Sequence, residues 1–195
     1  MPPARTLLGL RVFGRAPERD GRALIVAPNH QSWIDPYVVQ YAHYPHRMTY
    51  LMTELYYDLP VVGLYFRAVG ARPVRETGPS VAGLRAAREA LEEGEWVSLF
   101  PEGRITTSGE IGEGRRGIAR LAHRTGARVL PVGIRGAIDV FSKVQPRPRL
   151  GRVTIHLGEP MEYAESSDRD GEQRFTEELM RRIRVLAGED SPQSQ

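Results

Sequence analysis

Short apolar runs alternate along this chain with longer stretches that have helical periodicity. Residues 23–27 form the clearest apolar run, and residues 129–134 form another that contains a proline and a glycine. Runs of this length are typical of strands buried on both faces, as in a parallel sheet covered by helices. Residues 79–93 and 169–187 have the amphipathic pattern of such covering helices. The alternation therefore predicts a single α/β domain with a mixed, largely parallel sheet flanked by helices.

The composition is that of a globular protein. The chain has 195 residues, of which 41% are hydrophobic and 26% are charged, with a formal net charge of +3. The absence of cysteine excludes disulfide bonds, thiolate zinc sites and a cysteine nucleophile. No apolar run is long enough to predict a membrane-spanning helix. We expect an amphipathic N-terminal segment over residues 1–22, one domain over 23–187 and a disordered tail over 188–195.

Two stretches each allow two interpretations. Residues 5–15 mix apolar bulk with arginines, which suits either the headgroup region of a membrane or a terminal helix docked on the core. Residues 55–70 are the most aromatic and apolar part of the chain, which suits either the core or a partly exposed surface for an acyl chain. His43 and His46 are assigned to the surface, near the end of a helix predicted over residues 36–44.

Polar residues follow the apolar run at 23–27, at the point where the chain leaves the sheet. Crevices at such strand ends are where α/β proteins hold ligands. His30 and Asp35 lie five residues apart here, so the carboxylate would fix the tautomer of an imidazole that takes a proton near neutral pH. The pair predicts a general base with its orienting acid. Ser32-x-x-Asp35 before a proline also fits a capping box, in which Asp35 only bonds the backbone of Ser32.

A second polar motif follows a strand predicted over residues 95–100. Gly103 permits close approach to the backbone, and Arg104 offers a planar fork that matches a phosphate group. Glu102 is able to hold that arginine or to bind a hydroxyl group of a ligand. Taken alone, the motif also fits a simple turn with an ion pair.

The two motifs together resemble the glycerolipid acyltransferase superfamily, whose best-known members are lysophosphatidate acyltransferases. That family carries an H-x4-D box and a downstream F-P-E-G box in this order and at about this distance. Residues 63–75 resemble a further family segment that ends in an arginine, here Arg75, and residues 129–132 resemble its proline-containing strand. The resemblance extends over residues 23–135.

The resemblance implies a reaction and a role for each residue of the motifs. A fatty acyl group would move from a CoA or acyl carrier protein thioester to the hydroxyl of a lysophospholipid, 1-acylglycerol 3-phosphate. His30 would act as the general base and Asp35 would orient it. No metal ion, cofactor or covalent enzyme intermediate is required. The phosphate of the acceptor would be held by the remaining motif residues, which are Arg75, Glu102, Gly103 and Arg104.

The chain also departs from the family pattern. Many members have an aromatic residue and a lysine after the F-P-E-G box, and here Arg115 or Arg116 would replace that cation. The segment that ends in Arg75 is altered, and the family's membrane-spanning N-terminal segment is missing. The resemblance therefore implies a cytoplasmic protein held peripherally at the membrane surface, with no nucleic-acid partner.

Other functions would use the same residues. The acceptor could instead be a glycolipid, an amino lipid or a specialised metabolite, the dyad could activate water, or the domain could bind lipids or thioesters without catalysis. The Gly-x-Gly-x-x-Gly match at residues 112–117 does not indicate a dinucleotide site, because the nearest strand is predicted to end at residue 100. His123 and His156 are isolated from any cluster of carboxylates, so neither predicts a metal site.

Overall fold

The computed structural model describes residues 9–53, 63–64, 67, 71–74 and 81–189. Seven strands of this part form one sheet: β1 (Arg11–Phe13), β2 (Leu24–Pro28), β3 (Thr49–Thr53), β4 (Ala71–Val74), β5 (Trp96–Ser98), β6 (Arg128–Arg135) and β7 (Thr154–Leu157). Their spatial order is β1-β7-β6-β2-β5-β3-β4. The five strands from β6 to β4 run parallel, whereas β7 is antiparallel to β6 and β1 is parallel to β7. The predicted fold class is confirmed.

These directions give the sheet one edge at which polar segments collect. We call it the carboxyl edge, and it is defined by the last residues of β2, β3, β5 and β6, which are Pro28, Thr53, Ser98 and Arg135. Because β7 and β1 run the opposite way, they begin at this edge. In sheets of this kind the crevice outside the carboxyl ends of the strands is where a ligand binds.

Helices cover both faces of the sheet. They are α1 (Asp35–Ala42), α2 (Val81–Glu92), α3 (Gly117–Thr125), α4 (Ala137–Val140) and α5 (Arg169–Ala187). Apolar side chains of α2, α3 and α5 form the core on one face, and those of α1 and α4 belong to the core on the other. The central strand β2 supplies both cores, with Ile25 and Ala27 on the first face and Leu24 and Val26 on the second. Its uniformly apolar sequence follows from this two-sided burial.

Strand β6 runs without a break through the two residues expected to interrupt it. Pro131 lies in register with Ala27 of β2, and the strand continues to Arg135. Gly133 is needed because α5 lies directly on it: a Cβ atom there would come within 2.3 Å of the backbone at the end of that helix. Close packing of helix on strand therefore explains the glycine.

The two ends of the chain differ in part from expectation. A terminal helix over residues 5–15 is wrong for Arg11–Phe13, since these residues form the edge strand β1. Strand β4 was not predicted at all. Glu189, assigned to the disordered tail, accepts a hydrogen bond from the Ile111 backbone at 2.8 Å. Residues 1–8 and 190–195 lie outside the described residues. None of the helices described is long and apolar enough to cross a membrane.

Candidate active site

His30 and Asp35 lie at the carboxyl edge, where the chain passes from β2 to α1. Nδ1 of His30 is 2.9 Å from Oδ2 of Asp35. Asp35 is the first residue of α1 and is completely buried. Since the positive end of the helix dipole favours an anion at this position, the fold holds a carboxylate beside the imidazole.

The same carboxylate oxygen also bonds the backbone of Ser32, as the capping interpretation predicts, although the N-cap of α1 is Ile34 and no side chain caps it. Oδ2 of Asp35 accepts from the backbone N–H of Gln31 at 2.8 Å and from that of Ser32 at 2.7 Å. The capping interpretation and the dyad interpretation are therefore compatible, because the backbone bonds fix the oxygen that faces the imidazole. A carboxylate held by two backbone N–H groups is well placed to orient a neighbouring ring.

One ring nitrogen of His30, Nδ1, has a hydrogen-bond partner, and the other, Nε2, is free to act on a substrate. A carboxylate only accepts hydrogen bonds, so Nδ1 carries the hydrogen and the lone pair lies on Nε2. Among the described residues, nothing forms a hydrogen bond with Nε2. The ring of Phe100 stacks on the imidazole, with centroids 3.7 Å apart and planes inclined by 15°. The side chain is 15% exposed. The imidazole is thus fixed in orientation and open at the nitrogen that would act as a base.

Backbone contacts join the His30 turn to the loop of the second motif. Oε1 of Glu102 accepts from the backbone N–H of His30 at 2.8 Å, and Oε2 accepts from that of Gly112 at 3.1 Å. The carbonyl of His30 accepts from the Thr106 N–H at 2.9 Å. Glu102 is buried, and the structure gives it this connecting contact rather than a bond to Arg104. Its direct binding to a substrate stays a prediction.

Side chains on either side of His30 tie the turn to β6 and to the residues after α4. The Asn29 side chain donates to the Ile134 carbonyl at 2.9 Å and accepts from its N–H at 2.7 Å. The Ser32 hydroxyl donates to the carbonyl of Phe141. Asn29 and Ser32 are both fully buried. The turn that carries the dyad is therefore anchored on several sides.

A cavity of about 750 Å³ lies next to the turn. Glu102 and Thr106, which bond the backbone of His30, line one part of it. Three cations also line it, and none of them forms an ion pair within the part of the chain that the structure describes. These cations are Arg104, Arg115 and Lys143. Glu102, Glu110 and Glu113 line the cavity as well, so its lining carries charges of both signs. Because the three cations have no carboxylate partner among the described residues, they are able to bind an anionic group.

Gly103 packs against Arg115, which lines this cavity. Gly103 has φ of +68°, which favours glycine, and a Cβ atom there would lie 3.0 Å from Nε of Arg115. Arg116, the other candidate for the missing cation, instead lies 3.5 Å from the carboxylate of Glu172. Of the two arginines that the sequence offered, Arg115 is the one that reaches the cavity.

Two sequence-based assignments fall outside what can be compared. Arg75 and most of residues 55–70 are not among the described residues, so the role of Arg75 stays a prediction.

In the glycine-rich match at 112–117, a Cβ atom on Gly114 would come within 2.6 Å of the Met180 side chain on α5. Close packing against a helix thus accounts for that glycine without a dinucleotide.

The surface assignment of His43 is wrong. Its side chain is 1% exposed, and Nδ1 donates to the Val39 carbonyl at 2.8 Å. Burial lowers the pKa of His43 below its ordinary value. His156 stacks on Phe13, and burial lowers its pKa as well. Within the described residues, no three His, Asp or Glu side chains are grouped so that they could hold a metal ion.

Three contributors to the site were not predicted from the sequence. They are the stacked ring of Phe100, the backbone N–H of Thr106 and the cavity cation Lys143. Phe100 is the first residue of the F-P-E-G box, and Lys143 is the only lysine in the chain. Neither fact indicates a place in the site, because Phe100 and His30 lie far apart in the sequence, as do Lys143 and the other residues that line the cavity.

Comparison with known proteins gives consistent matches over most of the chain. The family model described as Acyltransferase matches residues 10–135. A 1-acyl-sn-glycerol-3-phosphate acyltransferase of Bacillus subtilis is 23% identical over 91% of this chain and 88% of its own length. One from Neisseria gonorrhoeae is 30% identical over 76% of this chain, which spans 57% of that relative. The crystal structure of the acyltransferase PlsC from Thermotoga maritima superimposes with a TM-score of 0.74 and 26% identity, covering 95% of this chain and 74% of that one.

Proposed function

This chain belongs to the acyltransferase family, and we propose that the reaction it catalyses moves a fatty acyl group from a thioester to the hydroxyl of 1-acylglycerol 3-phosphate. The donor is the thioester of CoA or of acyl carrier protein. The observation that carries the proposal is the 2.9 Å contact between His30 and Asp35, beside a cavity whose three lining cations have no ion-pair partner among the described residues. Family relatives that bear the name of this activity support the choice of acceptor.

The proposed chemistry uses Nε2 of His30 as a general base. Nε2 takes the proton of the acceptor hydroxyl as that oxygen attacks the thioester carbonyl carbon. The tetrahedral intermediate collapses, the carbon–sulfur bond breaks, and the imidazolium returns the proton to the leaving thiolate. Asp35 holds the ring by its Nδ1–H and stabilises the imidazolium while it exists. Positioned proton transfer of this kind contributes on the order of 10² to 10⁴ in rate.

The cavity is the proposed place for the phosphate of the acceptor. Arg104 and Arg115 supply planar guanidinium groups, and Lys143 supplies a compact charge. Gly103 remains a proposed contact of the ligand by its motif position, and its lack of a side chain leaves room for Arg115. Glu102 fixes the loop that presents these groups and, through the His30 N–H, the base itself. Arg75 remains a further proposed phosphate ligand on the strength of its motif position.

No resident cofactor has a place in this proposal, since the thioester is the activated group. The acceptor is a lipid, so the proposed location is the cytoplasmic surface of a membrane.

The test is release of free thiol from long-chain acyl-CoA and from acyl carrier protein thioester by the purified protein. Lysophosphatidate, glycerol 3-phosphate and no acceptor are compared for the wild type and for His30→Ala. We expect release that depends on lysophosphatidate and falls by on the order of 10² to 10⁴ in the variant.

A matched control is His123→Ala, because His123 is an exposed histidine away from the dyad. This variant should retain wild-type release. Release without any acceptor would indicate a hydrolase. Equal activity of the wild type and His30→Ala, with both folded, would overturn the assignment of the base.

A further inference from the structure

A basic loop lies beside the cavity, and the proposed mechanism uses only one of its residues, Lys143. We define the basic loop as residues 141–152, which connect α4 to β7 at the carboxyl edge. The Phe141 carbonyl, at its start, accepts a hydrogen bond from the backbone N–H of Trp33 in the His30 turn at 3.3 Å. Lys143 of this loop lines the cavity. The basic loop therefore borders the entrance to the proposed active site.

The charge of the basic loop is of one sign only. The sequence has no acidic residue between Asp139 and Glu159. Four exposed cations occupy the loop: Lys143, Arg147, Arg149 and Arg152. Among the described residues none of the four has a carboxylate within ion-pair distance. On helices α2 and α5, by contrast, arginines such as Arg85 and Arg174 are paired with glutamates.

Exposed aliphatic side chains stand among these cations. Leu150 is 79% exposed and Val144 is 55% exposed. One exposed leucine on a protein surface is ordinary, but two aliphatic side chains set among unpaired cations are suited to the boundary between lipid headgroups and acyl chains.

The loop is held in a defined conformation rather than left free. The Arg149 N–H donates to the Val140 carbonyl at 2.9 Å, which closes the base of the loop. The Ser142 N–H donates to the Gln145 carbonyl at 2.9 Å, and the buried Ser142 hydroxyl donates to the Ile138 carbonyl at 2.7 Å. The exposure of Leu150 is thus built into the fold. A preorganised surface loses less conformational entropy when it binds.

We propose that the basic loop docks on an anionic lipid bilayer, with its cations at the headgroup phosphates and Leu150 and Val144 in the interface. The charge favours an anionic surface, and the aliphatic side chains favour a bilayer over a nucleic acid, which would be met by aromatic stacking. Docking in this orientation turns the cavity toward the membrane, so a lipid acceptor reaches His30 without leaving the bilayer. The inference rests on the proposed function for the identity of that acceptor, but binding to vesicles does not require catalysis.

The test measures partition of the full chain onto vesicles of phosphatidylcholine mixed with phosphatidylglycerol. Pure phosphatidylcholine vesicles and homopolymeric RNA serve as the alternative ligands. We expect the wild type to prefer the anionic vesicles. The variant R147Q/R149Q/R152Q should lower the partition coefficient about a hundredfold, since each basic residue near such a surface contributes about fivefold. Leu150→Ser should lower it about fivefold, and this loss should persist at high salt because it is not electrostatic.

The control removes the same charge elsewhere. R85Q/R174Q/R182Q replaces three arginines on α2 and α5 that are paired with glutamates, and it should bind the vesicles within about threefold of the wild type. Equal binding by the wild type and the loop variant, or equal losses in the loop and control variants, would overturn the proposal. So would a wild type that ignores anionic vesicles or that binds RNA through this loop instead.

Activity on acceptor dispersed in detergent separates this proposal from the proposed function. The loop variant R147Q/R149Q/R152Q keeps every residue assigned to the cavity, so it should retain wild-type turnover there. Loop-dependent vesicle binding by an inactive protein would contradict the proposed function and leave the docking proposal standing. Normal activity in detergent without vesicle binding would contradict the docking proposal and leave the proposed function standing.

Discussion

One histidine precedes helix α1 and another follows it, and the two side chains have opposite surroundings. At the N-terminal end, His30 faces the carboxylate of Asp35 and its ring is 15% exposed. At the C-terminal end, His43 faces the carbonyl of Val39 and is 1% exposed, and no atom of the described residues partners its buried Nε2. A general base has to reach its substrate, and the charge it acquires has to be stabilised. Only the N-terminal end of α1 meets both conditions.

Substitutions near the two ends of α1 should therefore have different effects. Substitutions at the His30 end should change turnover or substrate binding, whereas a substitution at the His43 end should change the dependence of stability on pH and leave turnover alone. If the predictions below hold, the His30 end serves catalysis and the His43 end serves stability. If they fail, the two ends do not differ in this way.

Asp35→Asn should have the largest effect. An asparagine oxygen is able to keep the backbone bonds to Gln31 and Ser32, but the neutral side chain no longer stabilises an imidazolium. We expect kcat to fall by on the order of 10² to 10⁴ with little change in KM. Asp139→Asn, at an exposed aspartate on α4, is the control and should behave as the wild type. A folded Asp35→Asn protein with most of its kcat would show that His30 does not depend on this carboxylate.

Arg115→Gln should have the next largest effect, on binding rather than on turnover. Loss of a charged hydrogen bond to a phosphate is expected to raise KM for the acceptor by about 10- to 100-fold, with kcat within a few-fold. Arg116→Gln removes an equal charge one residue away, where the arginine contacts Glu172, and Arg120 still pairs with that glutamate. Steady-state kinetics should therefore separate the two variants. Similar KM values for both would remove Arg115 from the cavity's phosphate site, and Arg115→Lys should restore part of the affinity.

Glu102→Gln distinguishes a positioning residue from a substrate ligand. The glutamine has one accepting oxygen, so one of the backbone N–H groups of His30 and Gly112 loses its partner. We expect kcat to fall about tenfold and the free energy of unfolding to fall by about 1–3 kcal/mol. Glu159→Gln, at an exposed glutamate, should change neither quantity. A higher KM with unchanged stability would instead indicate that Glu102 binds the acceptor directly.

The sequence predicted most of the fold because the decisive signals are local. The uniformly apolar β2 is recognisable from its own residues, and α5 was predicted with its observed bounds, Arg169–Ala187. At the ends of that helix, Asp168 caps the first turn and Gly188 takes a left-handed conformation. Strands β1 and β4 carry no such signal, since β1 is a three-residue edge strand with exposed side chains and β4 contains a proline.

In the candidate site, too, contacts between residues close in sequence could be predicted, whereas contacts between distant segments could not. His30 and Asp35 lie five residues apart, so their spacing indicated a dyad beside the capping alternative, and the second motif favoured the dyad. The hydrogen bond from the His30 N–H to Glu102 and the stacking of Phe100 on His30 join segments about seventy residues apart, and only the packing of the sheet brings them together. The position of His43 was misread for a related reason. A cation near a helix C-terminus is favourable, but the burial of this one depends on Trp96 of β5, whose ring lies 6.2 Å away.

His43→Leu is the last and smallest test, and it concerns stability alone. Burial lowers the pKa of His43 in the folded protein, and nearby His46 adds to the effect. Above pH about 6.5 the side chain is neutral in both states and contributes nothing to the pH dependence. As the pH falls below that value, the unfolded chain takes a proton that the folded chain refuses, so the wild type loses stability. Between pH 7 and pH 5 this loss amounts to no more than about 2 kcal/mol.

Denaturant unfolding measured over this pH range should show a smaller loss of stability for His43→Leu. His123→Leu, at an exposed histidine, should lose stability with falling pH as the wild type does. The kcat of His43→Leu should match that of the wild type, and a large fall in kcat without unfolding would mean that the two ends of α1 both serve the reaction.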